Sequence, residues 1–267
     1  MEPRLAVLIP VYNDQEGLEL SLASLDESLP LDIVVVDDGS DPPIQPLKLP
    51  GQHRLFLLRL EENRGIEHAL NHGLRWIMER EYVYVARLDA GDISYPDRFL
   101  KQKKFLDENP DYALVGGQVR FVDGSGRELF HERFPTEPDE IGRIMHARNC
   151  FIHPAVMMRV AALKEVGMYS DQYPAAEDYE LFFRLTKRFK VANLPDVVLD
   201  CRVDPKGISL SKRRRQILSR IRVMLKYFDP ARKEAWLGLL KSVVLLGVPV
   251  VFVQMLKRRL ERWRGWL

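Results

Sequence analysis

Four apolar runs, alternating with helical patterns across the first ninety residues, predict an α/β fold with a mostly parallel central sheet. Three observations carry that expectation. Leu5 to Ile9 (LAVLI) and Ile33 to Val36 (IVVV) are unbroken apolar runs, as strands buried on both faces of a parallel sheet are. Between the runs, Leu18, Leu22, Leu25 and Leu29, and later Leu70, Leu74 and Ile77, recur at helical spacing. Acids then gather where strands stop: Asp37 and Asp38 after the second run, Asp89 and Asp92 after Tyr82 to Leu88. Right-handed crossovers bring those strand ends to one edge of the sheet, the edge where open α/β sheets bind ligands.

Taken in order, a strand over Leu5 to Ile9 ends at Pro10, and a helix is expected over Gln15 to Leu29. Ile33 to Val36 and Leu55 to Leu60 are the next strands, a helix carries Leu70 to Ile77, and Tyr82 to Leu88 is the fourth strand. Pro96 opens a helix that runs to the break at Asn109-Pro110. Tyr112 to Val122 and Leu129 to Phe134 read as strands about the turn Asp123-Gly124-Ser125-Gly126. Pro138 to Met145, Ala161 to Val166 and Ala175 to Leu185 read as helices. Asp89 and Asp92 suit a metal or a ribose, and equally a solvated turn with a helix cap. Asp178, at the start of the last of these helices, suits the helix dipole as well as a site.

Composition narrows the function. The apolar content of 46% and charged content of 29% are globular values, and Gly plus Pro (33 of 267) is too low for disorder. Cys150 and Cys201 lack metal-ligand spacing and suit buried thiols in a reducing compartment. The N-terminal apolar run is too short for a signal segment, so a cytoplasmic location is expected. The turn after the first strand is PVYNDQEG, with no G-x-G-x-x-G cradle. Walker and G-x-S-x-G loops are absent too, which argues against dehydrogenase, kinase and hydrolase chemistry.

Charge is divided unevenly. Residues 205–267 hold 16 Lys/Arg against three acids, and the remainder 24 against 35. That division argues against nucleic acid as a partner and for an anionic surface met by the tail. Ser242 to Leu256 has no charged residue, but its 15 residues are broken by Gly247 and Pro249 and fall short of the ~20 needed to span a bilayer. Basic flanks and Trp236, Trp263 and Trp266 suit a segment lying on a membrane; helices packed on the protein or on a second subunit are the other reading.

The stretches IPVYN (9–13), VVVDDGS (34–40), NRGIEHALNHG (63–73), RLDAGDISYPDRF (87–99), HPAVMMR (153–159) and AEDYELFFRL (176–185), in this order, resemble family 2 glycosyltransferases of the GT-A fold, nearest to bacterial enzymes of surface-polysaccharide synthesis. The resemblance implies a single Rossmann-like nucleotide-binding domain over 1–204 followed by a helical tail over 205–267. It implies an inverting glycosyltransferase with a UDP- or dTDP-type donor and a carbohydrate or lipid-linked acceptor. A non-catalytic nucleotide-binding assembly partner at the membrane is the alternative. By resemblance Pro10, Val11 and Tyr12 line the base pocket, Asp38 reads the base, Asp89 lies by ribose and metal, and Asp178 is the catalytic base. Glu177, His153 and Arg213 fall on the acceptor or diphosphate side. Asp37 supports its turn.

The sequence departs from the family at Gly91, which stands where a second metal-binding acid is usual, and at Asp204, where histidine is common. A bound Mn²⁺ or Mg²⁺ would then rest on Asp89, with help from Asp92 or Asp204. A peripheral place on the inner face of the cell membrane follows from the tail, and a homo-oligomer is compatible with it.

Overall fold

A computed structural model of the chain describes residues 4–45, 49–203 and 213–247. Its strands are β1 (Arg4–Val11), β2 (Asp32–Asp37), β3 (Arg54–Arg59), β4 (Tyr82–Arg87), β5 (Ile93–Ser94), β6 (Tyr112–Val122), β7 (Glu128–Glu132), β8 (Met157–Arg159) and β9 (Lys190–Arg202). The helices are α1 (Gln15–Ala23), α2 (Ile66–Met78), α3 (Arg98–Glu108), α4 (Pro138–Ile144), α5 (Val160–Val166), α6 (Glu177–Arg188), α7 (Arg213–Lys226) and α8 (Lys233–Gly247).

One nine-stranded sheet runs in the order β3-β2-β1-β4-β8-β6-β9-β5, with β7 on β6. The expected parallel set is there: β3, β2, β1 and β4 are mutually parallel, Leu8 lying opposite Val34 on one side and Arg87 on the other. Beyond β4 the sheet turns mixed. The three-residue β8 is inserted antiparallel between β4 and β6, and β6 pairs in parallel with β9. Side chains alternate through the sheet, so Ala6 and Leu8 enter the core under α2, α5 and α6, while Leu5, Val7 and Ile9 enter the core under α1 and α3.

Two departures from the expected elements have local causes. α1 stops at Ala23, because the Ser24 hydroxyl donates to Ser21 O at 2.7 Å and its N–H folds back on Leu22 O; Leu25 still enters the core from the following turn. β9 was not expected at all. Leu194-Pro195-Asp196 interrupts its apolar pattern, and the register shifts against β6 on either side of Gly116 and Gln118 absorb that interruption.

The helices of the tail join the core. Val223 and Met224 of α7 are buried within it, Tyr227 stacks on Phe183 at 4.4 Å, and Arg143 of α4 pairs with Glu234 of α8 at 2.7 Å. Among the described residues no helix is long and apolar enough to cross a membrane.

Candidate active site

Acids stand at the carboxyl ends of β2 and β4, and the first turn of α6 brings Asp178 and Glu177 within electrostatic reach of Asp89. Asp37 and Asp38, adjacent in sequence, divide their work. Asp37 is buried and holds its own turn: its carboxylate accepts from Ser40 N at 2.9 Å and Ile44 N at 3.2 Å, and Arg59 stands 3.6 Å away. Asp38 faces the next loop, accepting from the backbone N–H groups of Arg64 at 2.9 Å and Gly65 at 3.0 Å. Burial lifts the Asp38 carboxyl above its ordinary range against those two hydrogen bonds. Gly65, at φ 97°, lets that loop close on the carboxylate. Pro10 and Val11 end β1 beside it, and the ring of Tyr12 stands half exposed at the mouth, as an aromatic that can take a base on its face does.

Asp89 is organised by a cation that the sequence did not single out. Arg87 is wholly buried at the end of β4. It donates to Leu8 O at 2.5 Å, to Leu88 O at 3.3 Å and to the Asp89 carboxylate at 2.5 Å. A second buried guanidinium, Arg98, donates to Arg87 O at 2.9 Å and Pro154 O at 2.6 Å, tying β4 to the turn that carries His153. Asp89 itself keeps a third of its side chain exposed toward the crevice.

Gly91 has φ 93°, a conformation that side chains beyond glycine rarely adopt, and its N–H donates to Ser21 Oγ at 2.9 Å. The acid that follows is turned inward. Asp92 is buried, accepts from Arg202 N at 2.8 Å through one carboxylate oxygen, and has the Cys201 thiol beside it. Burial, with Asp89 next in weight, pushes its carboxyl well up. Asp204 lies outside the described residues. Among those described, no three His, Cys, Asp or Glu residues form a group that could hold a metal ion. Asp89, already paired with Arg87, and the inward Asp92 therefore do not amount to a preformed metal site.

Asp178 sits in the first turn of α6, half-buried, where Asn149 Nδ2 donates to its Oδ2 at 3.0 Å. Burial drives its carboxyl upward and the nearby Asp89 adds to that; the N–H groups of Tyr179 and Asp178 and the Asn149 amide oppose it. Glu177 is deeper, with Oε2 unpartnered, and burial together with Asp178 pushes it up as well. His153 lies against Arg87. Its Nε2 is 2.7 Å from the Tyr169 hydroxyl and 3.4 Å from Arg87 Nε, and burial and the guanidinium hold the imidazole neutral, well below its usual range. A guanidinium can only donate, so Nε2 is the acceptor there. The guanidinium of Arg213 donates to Leu245 O of α8 at 3.1 Å.

Arg87 thus joins Asp89 to His153, His153 meets Tyr169, Asn149 holds Asp178, and Asp178 and Glu177 lie within electrostatic reach of Asp89; Tyr12 and Asp38 stand just past the ends of β1 and β2. Arg87 lay within RLDAGD without being singled out; Tyr169 had no signal, being placed by a reciprocal pair with Asn71 across 98 residues.

The model of the family described as Glycosyl transferase family 2 matches residues 6–167. The chain belongs to that family. It is 35% identical over 207 residues to the amylovoran biosynthesis glycosyltransferase AmsE of Erwinia amylovora, covering 74% of this chain and 75% of that protein. A Haemophilus influenzae glycosyltransferase matches at 35% over 172 residues, and there the chain spans 60% of its relative's length. Among solved structures, S. aureus TarS 1-349 in complex with UDP-GlcNAc superposes with TM-score 0.65 at 18% identity, over 90% of this chain and 71% of that one. The mannosyltransferase PcManGT of Pyrobaculum calidifontis, in complex with GDP-Man and Mn²⁺, gives 0.60 at 20% identity, over 92% and 70%. These neighbours share the GT-A fold.

Proposed function

We propose that this chain is an inverting glycosyltransferase of surface-polysaccharide synthesis, moving a sugar from a UDP- or dTDP-type nucleotide sugar to a carbohydrate or lipid-linked acceptor. The observation that carries the reading is the carboxylate of Asp178, raised in basicity by burial, oriented by Asn149 and within electrostatic reach of Asp89. In that role Asp178 takes the proton of the acceptor hydroxyl as its oxygen forms the new bond to the anomeric carbon, while the bond from that carbon to the diphosphate oxygen breaks and the electron pair leaves with the diphosphate. A base on the face opposite the leaving group gives inversion. AmsE's role in amylovoran biosynthesis supports the polysaccharide context, the nucleotide sugars bound to TarS and PcManGT support a nucleotide-sugar donor, and the UDP-GlcNAc of TarS supports the uridine type.

The donor base is assigned to the pocket of Pro10, Val11, Tyr12 and Asp38. Each carboxylate oxygen of Asp38 has lone pairs left after the Arg64 and Gly65 hydrogen bonds, so it can also accept from an imide N–H. Asp38→Ala removes that acceptor and frees the loop, and UDP affinity should fall by about 1–3 kcal/mol. Calorimetry with UDP tests this, and unchanged affinity would place the base elsewhere.

Mn²⁺ or Mg²⁺ is expected to arrive with the donor rather than to reside on the protein. PcManGT was solved in complex with GDP-Man and Mn²⁺, and hard cations take diphosphate oxygens and keep several waters. Titrating Mn²⁺ into the nucleotide-free protein should give no saturable heat, and stoichiometric binding would instead reveal a site built by the chain alone.

A further inference from the structure

We propose that the outward face of the α7–α8 hairpin is a docking surface for an anionic lipid bilayer, on which the enzyme lies without spanning it. α8 is amphipathic in one direction only. Ala235, Gly238 and Ser242 face the protein and are buried, while Trp236, Leu237, Leu240, Val243 and Val244 are each more than half exposed. Their spacing places all five on one stripe of the helix, about 120° wide. Trp236 is held in position: its indole N–H donates to Pro230 O at 3.1 Å and its ring meets Phe228 edge-on at 4.8 Å. With its one donor satisfied and its ring in the open, it is suited to a headgroup boundary.

Charge selects the occupant. Arg214, Arg215, Arg222, Lys233 and Lys241 are exposed on the same two helices, among the half-exposed Leu218 and Leu225, while Lys226 pairs with the buried Glu180 at 2.8 Å. The two acids of the hairpin are already engaged, Asp229 by Arg232 at 3.0 Å and Glu234 by Arg143 at 2.7 Å. The following residues, 248–267, add five Lys/Arg against one acid. An aliphatic stripe rimmed by exposed cations complements a surface that is apolar beneath and anionic above. A second copy of this chain would set those cations against their own kind across a two-fold axis.

The hairpin is fixed to the acceptor side of the crevice. Arg220 donates to Ala147 O at 3.1 Å, and Gly238 packs so closely that an added Cβ would lie 2.6 Å from Ala147 Cα. Asn149, two residues on, holds Asp178. A bilayer under the hairpin therefore lies beside the base, where an acceptor carried on a lipid would be presented. That consequence rests on the transfer reading above, whereas the docking itself does not.

The test is cosedimentation of the full chain with vesicles of phosphatidylcholine alone or with about 30% phosphatidylglycerol. Wild type should bind the anionic vesicles at least about tenfold more tightly, with the gain lost at high salt. Leu237→Glu/Leu240→Glu changes only exposed positions away from the crevice. Its circular dichroism and its UDP affinity should match wild type, and its vesicle binding should fall at least about tenfold. Equal vesicle binding by the double variant and wild type would overturn the proposal. So would a wild-type dimer that the double variant dissociates, which assigns the stripe to a second copy. A loss of transfer with vesicle binding intact would count against the transfer reading alone.

Discussion

Asp178→Asn should lower turnover by about 10² to 10⁴ while leaving nucleotide affinity little changed. The substitution keeps shape and an oxygen for Asn149 Nδ2, and removes only the ability to take a proton. The split matters, because a purely structural acid at the start of α6 would move affinity and turnover together. Near-normal transfer by the variant would remove Asp178 from the chemistry and leave the non-catalytic assembly role standing. A pH profile gives a second reading. Burial and Asp89 raise the Asp178 carboxyl above the ordinary value of 3.8, so the acid limb of kcat/KM should sit above that value and vanish in the variant. Stability runs in the opposite direction. A carboxyl raised on folding favours the fold most when protonated, below pH 3.8, and that contribution is lost as pH rises through the raised value. At neutral pH, Asp178→Asn should therefore be at least as resistant to denaturation as wild type, which separates loss of the base from loss of the fold.

The ease of reading this chain differed between its two halves for a physical reason. β1, β2 and β4 are buried on both faces and stop at polar turns, so hydrophobic runs mark their extent and the acids beyond them mark the crevice. The antiparallel part carries a weaker imprint. β8 is three residues long, and its place between β4 and β6 is decided by partners 42 and more residues away in sequence, as Val115 opposite Met157 shows, rather than by local pattern. Within the site, Asp37 and Asp38 were distinguishable only by family likeness; their hydrogen bonds now separate a turn support from a loop clamp. Gly91 is explained by its positive φ, and Asp92 by its inward hydrogen bond to Arg202 N, neither of which a linear string conveys. Arg87 was in plain sight within RLDAGD, yet an arginine ending a buried strand looks like the strand's exit to solvent. Its complete burial is a tertiary fact.

That burial makes Arg87→Met the substitution with the largest expected cost to the fold. Methionine fills a similar length and abandons every donor. Leu8 O loses its 2.5 Å partner, His153 Nε2 loses Arg87 Nε, and the Asp89 carboxylate is left facing an apolar side chain. Removing one partner of a buried ion pair typically costs about 3–5 kcal/mol. Asp89 is a third exposed and can turn to water, so the lower figure, about 3 kcal/mol, is expected here. In a domain of this size that lowers Tm by roughly 6 °C or more. The imidazole of His153 supplies an independent check. Arg87 and burial both hold it neutral, and losing the guanidinium leaves burial alone, so its titration should move up toward 6.5 without reaching it. Arg87→Lys keeps a charge for Asp89 but has no planar fork to serve Leu8 O, Asp89 and His153 together, so its stability should fall between the two. Chemical denaturation and imidazole proton resonances of the three proteins decide the matter. A methionine variant as stable as wild type, with His153 unmoved, would show that the crevice does not depend on this buried cation for its shape.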